Sequence, residues 1–186
     1  MEDHDPRDLG LGFWLRRVRN PRLTWGQISV YAKHIAVLQH IASSHSVALV
    51  LEDDAAWDEG FKTKITAYLA ELPAAWNLIF LGASCGLELS ADPDKKLFGR
   101  SFSTRSMSGY LVTPEAAGQL ALALESRPIK QPIDLAVNEV IKDLDLHVYW
   151  SVPAVIENGS ERGRYPRAMT GGRWRALNPL RFLRRL

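Results

Sequence analysis

The feature that most constrains this chain is a short apolar run that ends on carboxylates. Val47-Ala-Leu-Val-Leu51 is followed, without a spacer, by Glu52-Asp53-Asp54. A continuous apolar run between polar flanks suits a strand buried on both faces, as in a parallel sheet. A helical pattern precedes it over residues 27–44, where Ile28, Tyr31, Ile35, Leu38 and Ala42 recur at helical spacing and Thr24 is placed to cap. Another follows over 58–72, with Phe61, Ile65, Tyr68, Leu69 and Leu72 on one face and Pro73 as its stop. The alternation continues. Residues 77–81 are predicted as a strand stopped by Gly82, and residues 108–112 as the next strand. Thr113-Pro114-Glu115 then opens a helix to about Ser126, with threonine as cap and proline in the first turn. Asp134 begins a helix that ends near Asp143, and 146–150 is the last strand. Strands alternating with helices predict an α/β domain with a largely parallel sheet, whose ligands sit at the carboxyl ends of the strands. Glu52, Asp53 and Asp54 stand at such an end.

With 186 residues, 46% hydrophobic and 24% charged, the chain is long enough for one domain with a substantial core. Its single cysteine, Cys85, excludes an intrachain disulfide and a Cys-based zinc site, and fits a reducing compartment. No stretch approaches the roughly 18 apolar residues of a membrane span. The acidic, polar first eight residues do not read as a secretory signal. A cytoplasmic location is expected. The net charge of +2 conceals an asymmetry: eight arginines and no acid follow Glu161, while the first 161 residues carry 15 basic and 21 acidic side chains. In that tail the arginines interleave with Trp174, Leu177, Leu180, Phe182, Leu183 and Leu186. This composition fits a segment lying on anionic lipid at the inner face of a membrane. A packed surface arm is the plain alternative, and no nucleic-acid recognition motif is present. The organisation read from sequence is an N-terminal arm over 1–23, a domain over 24–160 and a basic amphipathic tail over 161–186.

Three adjacent carboxylates repel one another, so at a strand end they call for a counter-charge. A divalent cation supplies one, and hard oxygen ligands suit Mg²⁺ or Mn²⁺. In an extended segment, residues two apart point the same way, which would let Glu52 and Asp54 share an ion while Asp53 faces the other side. The alternative is a solvated turn. A receiver domain of bacterial signalling also ends a strand on paired acids, but it needs a phosphate-accepting aspartate at the end of a later strand, where this chain has Gly82.

Five segments taken in order, residues 47–54 with Phe61 after them, 76–82, 108–117, 132–134 and 148–153, resemble glycosyltransferase family 25, the lipopolysaccharide-biosynthesis and procollagen-galactosyltransferase-like group. The resemblance covers about residues 24–160. It implies a GT-A-like (Rossmann-like), mostly parallel sheet flanked by helices, shortened here at the N-terminus. It also implies transfer of a sugar, with galactose a candidate, from a nucleotide-sugar donor such as a UDP-sugar to a glycan or lipopolysaccharide acceptor, with inversion. Glu52 and Asp54 then correspond to the metal site for Mn²⁺ or Mg²⁺. Asp53, Ser108, Gly109 and Tyr110 correspond to the donor site, and Asp134 to the catalytic base. Asp134 reads equally as an ordinary helix cap, with Asp143 and Asp145 as weaker candidates for the base. Where the family carries a Ser-His pair before the acidic triplet, this chain reads Gly26-Gln-Ile-Ser-Val-Tyr-Ala-Lys-His34. A non-catalytic relative that binds sugar or a partner protein is the alternative function.

Residues 83–107 lack sustained periodicity and form a long loop of the kind that carries function. Arg100 and Arg105 in it could clamp a diphosphate or rest in solvent. Trp57 could stack on a base or sugar, whereas Trp76 reads as core. His34, His40 and His45 read as structural or surface residues, and Cys85 has no partner pattern that would make it a nucleophile.

Overall fold

The computed structural model describes residues 12–57, 59–83, 97–99, 104 and 106–159. Among these residues, five helices and eight strands follow in order: α1 (Gly12–Arg17), α2 (Trp25–Ser43), β1 (Ala48–Leu51), β2 (Ala55–Ala56), α3 (Phe61–Ala70), β3 (Leu78–Phe80), β4 (Gly82–Ala83), β5 (Leu97–Gly99), β6 (Gly109–Val112), α4 (Pro114–Ser126), α5 (Ile133–Asp143), β7 (Val148–Ser151) and β8 (Ile156–Asn158).

The local signals explain where the longer helices start. Thr24 accepts from the Gln27 amide while the Gln27 side chain accepts from the Thr24 amide, a capping box that opens α2. Thr113 caps α4 through the Ala116 amide, with Pro114 as the first helical residue. The helix at Asp134 begins one residue earlier, with Pro132 in the cap position and no side-chain cap bond. Asp134 is therefore a first-turn residue of α5 and not its cap.

The main sheet has the order β1-β6-β3-β7-β5. β1, β3 and β7 run in one direction, as the alternating pattern predicts, but β6 lies antiparallel between β1 and β3, and β5 is antiparallel to β7. The mostly parallel sheet is thus corrected to a mixed one. The physical reason lies before β6. A parallel return needs a crossover, usually a helix, and residues 83–107 carry no helical pattern. Within that stretch, read from sequence as loop, β5 pairs with β7. A second sheet, β2-β8-β4, was not legible at all.

One face of the main sheet packs Val50, Leu78, Phe80, Tyr110, Val112, Val148 and Trp150 against α1, α2, α4 and α5. The other face packs Ile79 and Leu111 against Tyr68 of α3 and against Val155 and Ile156. β1 lies at the edge among the described residues, and its burial alternates, with Leu49 40% and Leu51 37% exposed. The continuous apolar run over-predicted burial there. Leu120 of α4 is fully buried between helices and sheet. Leu120→Ala is expected to cost about 3 kcal/mol, which a urea unfolding curve would show as a lower midpoint at unchanged slope.

Candidate active site

The carboxyl ends of β1, β3 and β7 share one end of the main sheet with the start of β6. Leu51 sits opposite Gly109, Phe80 opposite Tyr110, and Phe80 beside Trp150. The acidic triplet leaves the sheet at this end. It does not continue as an extended strand: the Ala55 amide donates to the Glu52 carbonyl at 3.1 Å, closing a turn over Asp53 and Asp54. The geometry that would place Glu52 and Asp54 on one side by strand alternation is therefore absent. Both ends of the turn are fixed. The Glu52 amide donates to the Ser108 carbonyl at 3.0 Å, and the Gly159 amide donates to the Asp54 carbonyl at 2.8 Å. β2 then pairs with β8, so the turn is strung between the two sheets.

Glu52 is turned back against α2. Its Oε1 lies 3.1 Å from Nε2 of His34, whose Nδ1 lies 3.1 Å from the Tyr110 hydroxyl. A carboxylate can only accept, so Nε2 donates to Glu52, and in the neutral imidazole Nδ1 then accepts from the Tyr110 hydroxyl. The order Tyr110 to His34 to Glu52 satisfies every polar atom of two buried side chains. His34 is 5% and Tyr110 0% exposed, and Glu52 keeps part of its carboxylate in solvent. Burial, with the Glu52 charge as a smaller contribution, pushes the Tyr110 phenol far above its usual range. Burial likewise pushes Tyr31 up to about 12, against the opposing charges of Arg17 and Arg127. Both phenols bind their protons more tightly folded than unfolded. Stability is therefore fully present below about pH 10 and is lost as pH rises above it. In an alkaline titration, the phenolate absorbance of these two tyrosines is expected to appear together with loss of helical circular dichroism, not before it.

The chain leading into β6 is held by polar side chains. Thr104 donates its amide to Asn138 Oδ1 at 2.8 Å, and Asn138 Nδ2 donates back to the Thr104 carbonyl at 2.6 Å. Thr104 accepts from the Ser106 amide at 3.1 Å, and the hydroxyls of Ser106 and Ser108 are hydrogen-bonded. Asn138 is one turn beyond Asp134 on α5, so this helix is tied directly to the approach to the site. Asn138→Ala strands the Thr104 amide and carbonyl. It is expected to cost about 1–3 kcal/mol, with faster amide exchange at residues 104–108 as the local signature.

The sequence candidates fall into distinct places. Glu52, Ser108, Gly109 and Tyr110 come together at the sheet end, with Ser108 and Tyr110 fully buried and Gly109 beneath Ile156. Asp53 is exposed and Asp54 half-buried on the turn. Asp134 is half-buried in the first turn of α5. Trp57, 49% exposed, stands just past β2 with its ring 5.3 Å from that of Phe61. Trp76 packs against the second core cluster. Arg100, Arg105, Cys85 and the tail from 161 lie outside the described residues. His34, which the sequence reads as a structural or surface residue, is buried and is the side chain that holds Glu52. Its signal was its position between Tyr31 and Ile35, on the buried face of an amphipathic helix that precedes the triplet.

Among the described residues, no group of three His, Cys, Asp or Glu side chains converges to hold one metal ion. Asp53 and Asp54 carry hard carboxylate oxygens, the donor type that Mg²⁺ and Mn²⁺ take.

The fold and the site define an α/β protein with a clamped carboxylate turn at the end of the sheet where β1, β3 and β7 finish. The profile of glycosyltransferase family 25 (LPS biosynthesis protein) matches residues 10–137, more than half of the chain, and the chain belongs to that family. Membership points to glycosyltransferase activity, with a sugar donor and a glycan or lipopolysaccharide acceptor in general terms. Comparison with curated proteins gives no match. Among the described residues, no helix is long and apolar enough to cross a membrane.

Proposed function

We propose that the chain transfers a hexosyl group from a nucleoside-diphosphate sugar to a hydroxyl of a glycan or lipopolysaccharide acceptor, at the turn formed by Glu52, Asp53 and Asp54. The observation that carries this reading is the turn itself: a family 25 chain fixes its acidic triplet from both sides and orients Glu52 through a buried histidine. The shared direction of β1, β3 and β7 toward this end agrees with a GT-A-like core.

In this reading Asp53 and Asp54 would hold Mn²⁺ or Mg²⁺ together with the donor diphosphate, and the bound ion would offset charge on the leaving group. The side chains of the protein supply the rest. Tyr110 and His34 keep Glu52 in one orientation beside the diphosphate. Ser108 and Gly109 form the floor under the turn. Asp134 accepts the proton of the acceptor hydroxyl as its oxygen bonds to the anomeric carbon and the diphosphate departs from the opposite face, giving inversion.

The test is calorimetric titration with UDP and with GDP, each with and without Mn²⁺. Nucleotide binding that needs the metal is expected, together with its loss in Asp54→Asn. Transfer by that variant is expected to fall by about a hundredfold or more, with the fold retained by circular dichroism. Binding of neither nucleotide by the folded protein would overturn the reading in favour of a non-catalytic, sugar- or partner-binding relative.

A further inference from the structure

Around α1 and the α4–α5 connection the fold gathers a basic surface. α1 is followed by Val18, which forms a parallel bridge with Ile129 in the connection between α4 and α5. The Ile129 amide donates to the Arg17 carbonyl and the Arg19 amide to the Ile129 carbonyl, both at 2.9 Å, and Asn20 Nδ2 donates to the Lys130 carbonyl at 2.8 Å. Val18 and Ile129 are buried. In extended segments neighbouring residues point to opposite sides, so Arg19 and Lys130 are turned outward together. Arg16, Arg19, Arg22 and Lys130 are all exposed, and among the described residues none pairs with an acid. Arg127 is separate, because it is bound to Asp143 at 2.9 Å.

An apolar group stands in the same surface. Leu15 and Val18 face the core, while Phe13, Arg16 and Arg17 share another stripe of α1 at helical spacing, with Phe13 and Arg16 exposed and Arg17 half-buried and donating to the Arg127 carbonyl. Phe13 is 44% exposed. Its ring packs edge-on against Trp14, and the Arg17 guanidinium lies 5.4 Å from its centroid. A ring face covered by a guanidinium is poorly placed to stack on a nucleic-acid base, while its free rim can enter the headgroup region of a bilayer.

We propose that α1 and the α4–α5 connection form a docking face for an anionic phospholipid surface. Arg16, Arg19, Arg22 and Lys130 meet the phosphates, and Phe13 enters the interface. Clustered cations beside an exposed aromatic are the chemistry that such surfaces attract. The proposal does not depend on sugar transfer.

The test is flotation of the full chain with vesicles of phosphatidylcholine, with and without phosphatidylglycerol. Binding is expected only with phosphatidylglycerol and is expected to weaken with salt. Arg16→Glu/Arg19→Glu/Lys130→Glu is expected to weaken it by about a hundredfold or more, since each cation near such a surface is worth roughly fivefold. Arg19 also donates to the Arg16 carbonyl, so Arg22→Gln/Lys130→Gln, which removes no side-chain hydrogen bond, serves if the first variant fails to fold. It should still lose roughly twentyfold. Absence of binding to anionic vesicles would overturn the proposal. So would loss of binding only in Arg181→Glu/Arg184→Glu/Arg185→Glu, or binding to duplex DNA in place of vesicles.

Discussion

Gly109→Val is expected to destabilise the protein by about 3 kcal/mol or more, and Gly109→Ala by about 1–3 kcal/mol. A Cβ at position 109 would lie 2.1 Å from Ile156 Cδ1 and 3.2 Å from both Cγ atoms. Ile156 has little room to retreat. It is 0% exposed, its amide donates to the Leu81 carbonyl at 3.0 Å, and it pairs with Gly82 in the small sheet. The added methyl therefore pushes on the joint between the two sheets, at the end where the acidic turn sits. Urea unfolding measures the cost. Ile156→Ala placed in the Gly109→Ala background should recover part of it, as expected for residues that couple by contact. A Gly109→Ala midpoint equal to the parent's would show that Ile156 rotates away freely.

His34→Ala is expected to cost about 2–4 kcal/mol, combining a buried cavity with an unsatisfied Tyr110 hydroxyl. Tyr110→Phe leaves Nδ1 of His34 without its donor and should cost about 1–2 kcal/mol. The functional consequence separates positioning from packing. In His34→Ala, Glu52 loses the donor that fixes its carboxylate, so kcat for sugar transfer should fall more than KM rises. His34→Gln keeps a donor of similar reach and should regain part of kcat even where stability is not restored. Equal kcat in the Ala and Gln variants would remove the positioning role.

The parts of the fold that depend on local chemistry were legible in the sequence. Thr24 with Gln27, and Thr113 with Pro114, mark helix starts through bonds made within four residues. The apolar runs at 47–51, 77–81 and 108–112 each contain a strand. What stayed hidden depends on partners remote in sequence. Nothing within 108–112 records that its strand runs against both neighbours, and two-residue strands such as β2 and β4 have no period to detect. At the site, the position of the triplet was legible because an apolar run ends on it. The orientation of Glu52 was not, because it is set by a histidine on a preceding helix and a tyrosine on the neighbouring strand β6, far along the sequence. A histidine among apolar neighbours looks the same in sequence whether its ring nitrogens meet a carboxylate or a backbone carbonyl.

The reversed strand β6 also bears on how the chain is made. During synthesis β1 and β3 both emerge before β6, the strand that must lie between them and bond to each. Until residue 112 has left the ribosome, those two strands have no shared partner and α2 lacks the cover of α4. The non-local pairing of β6 with β1 and β3 should therefore slow folding relative to a protein of local contacts. His34 and Glu52 are made early, but Tyr110, which completes their hydrogen-bonded order, arrives with that late strand. Nascent fragments ending before β6 would carry the acidic triplet without its orientation, so the site comes into being only as the domain closes.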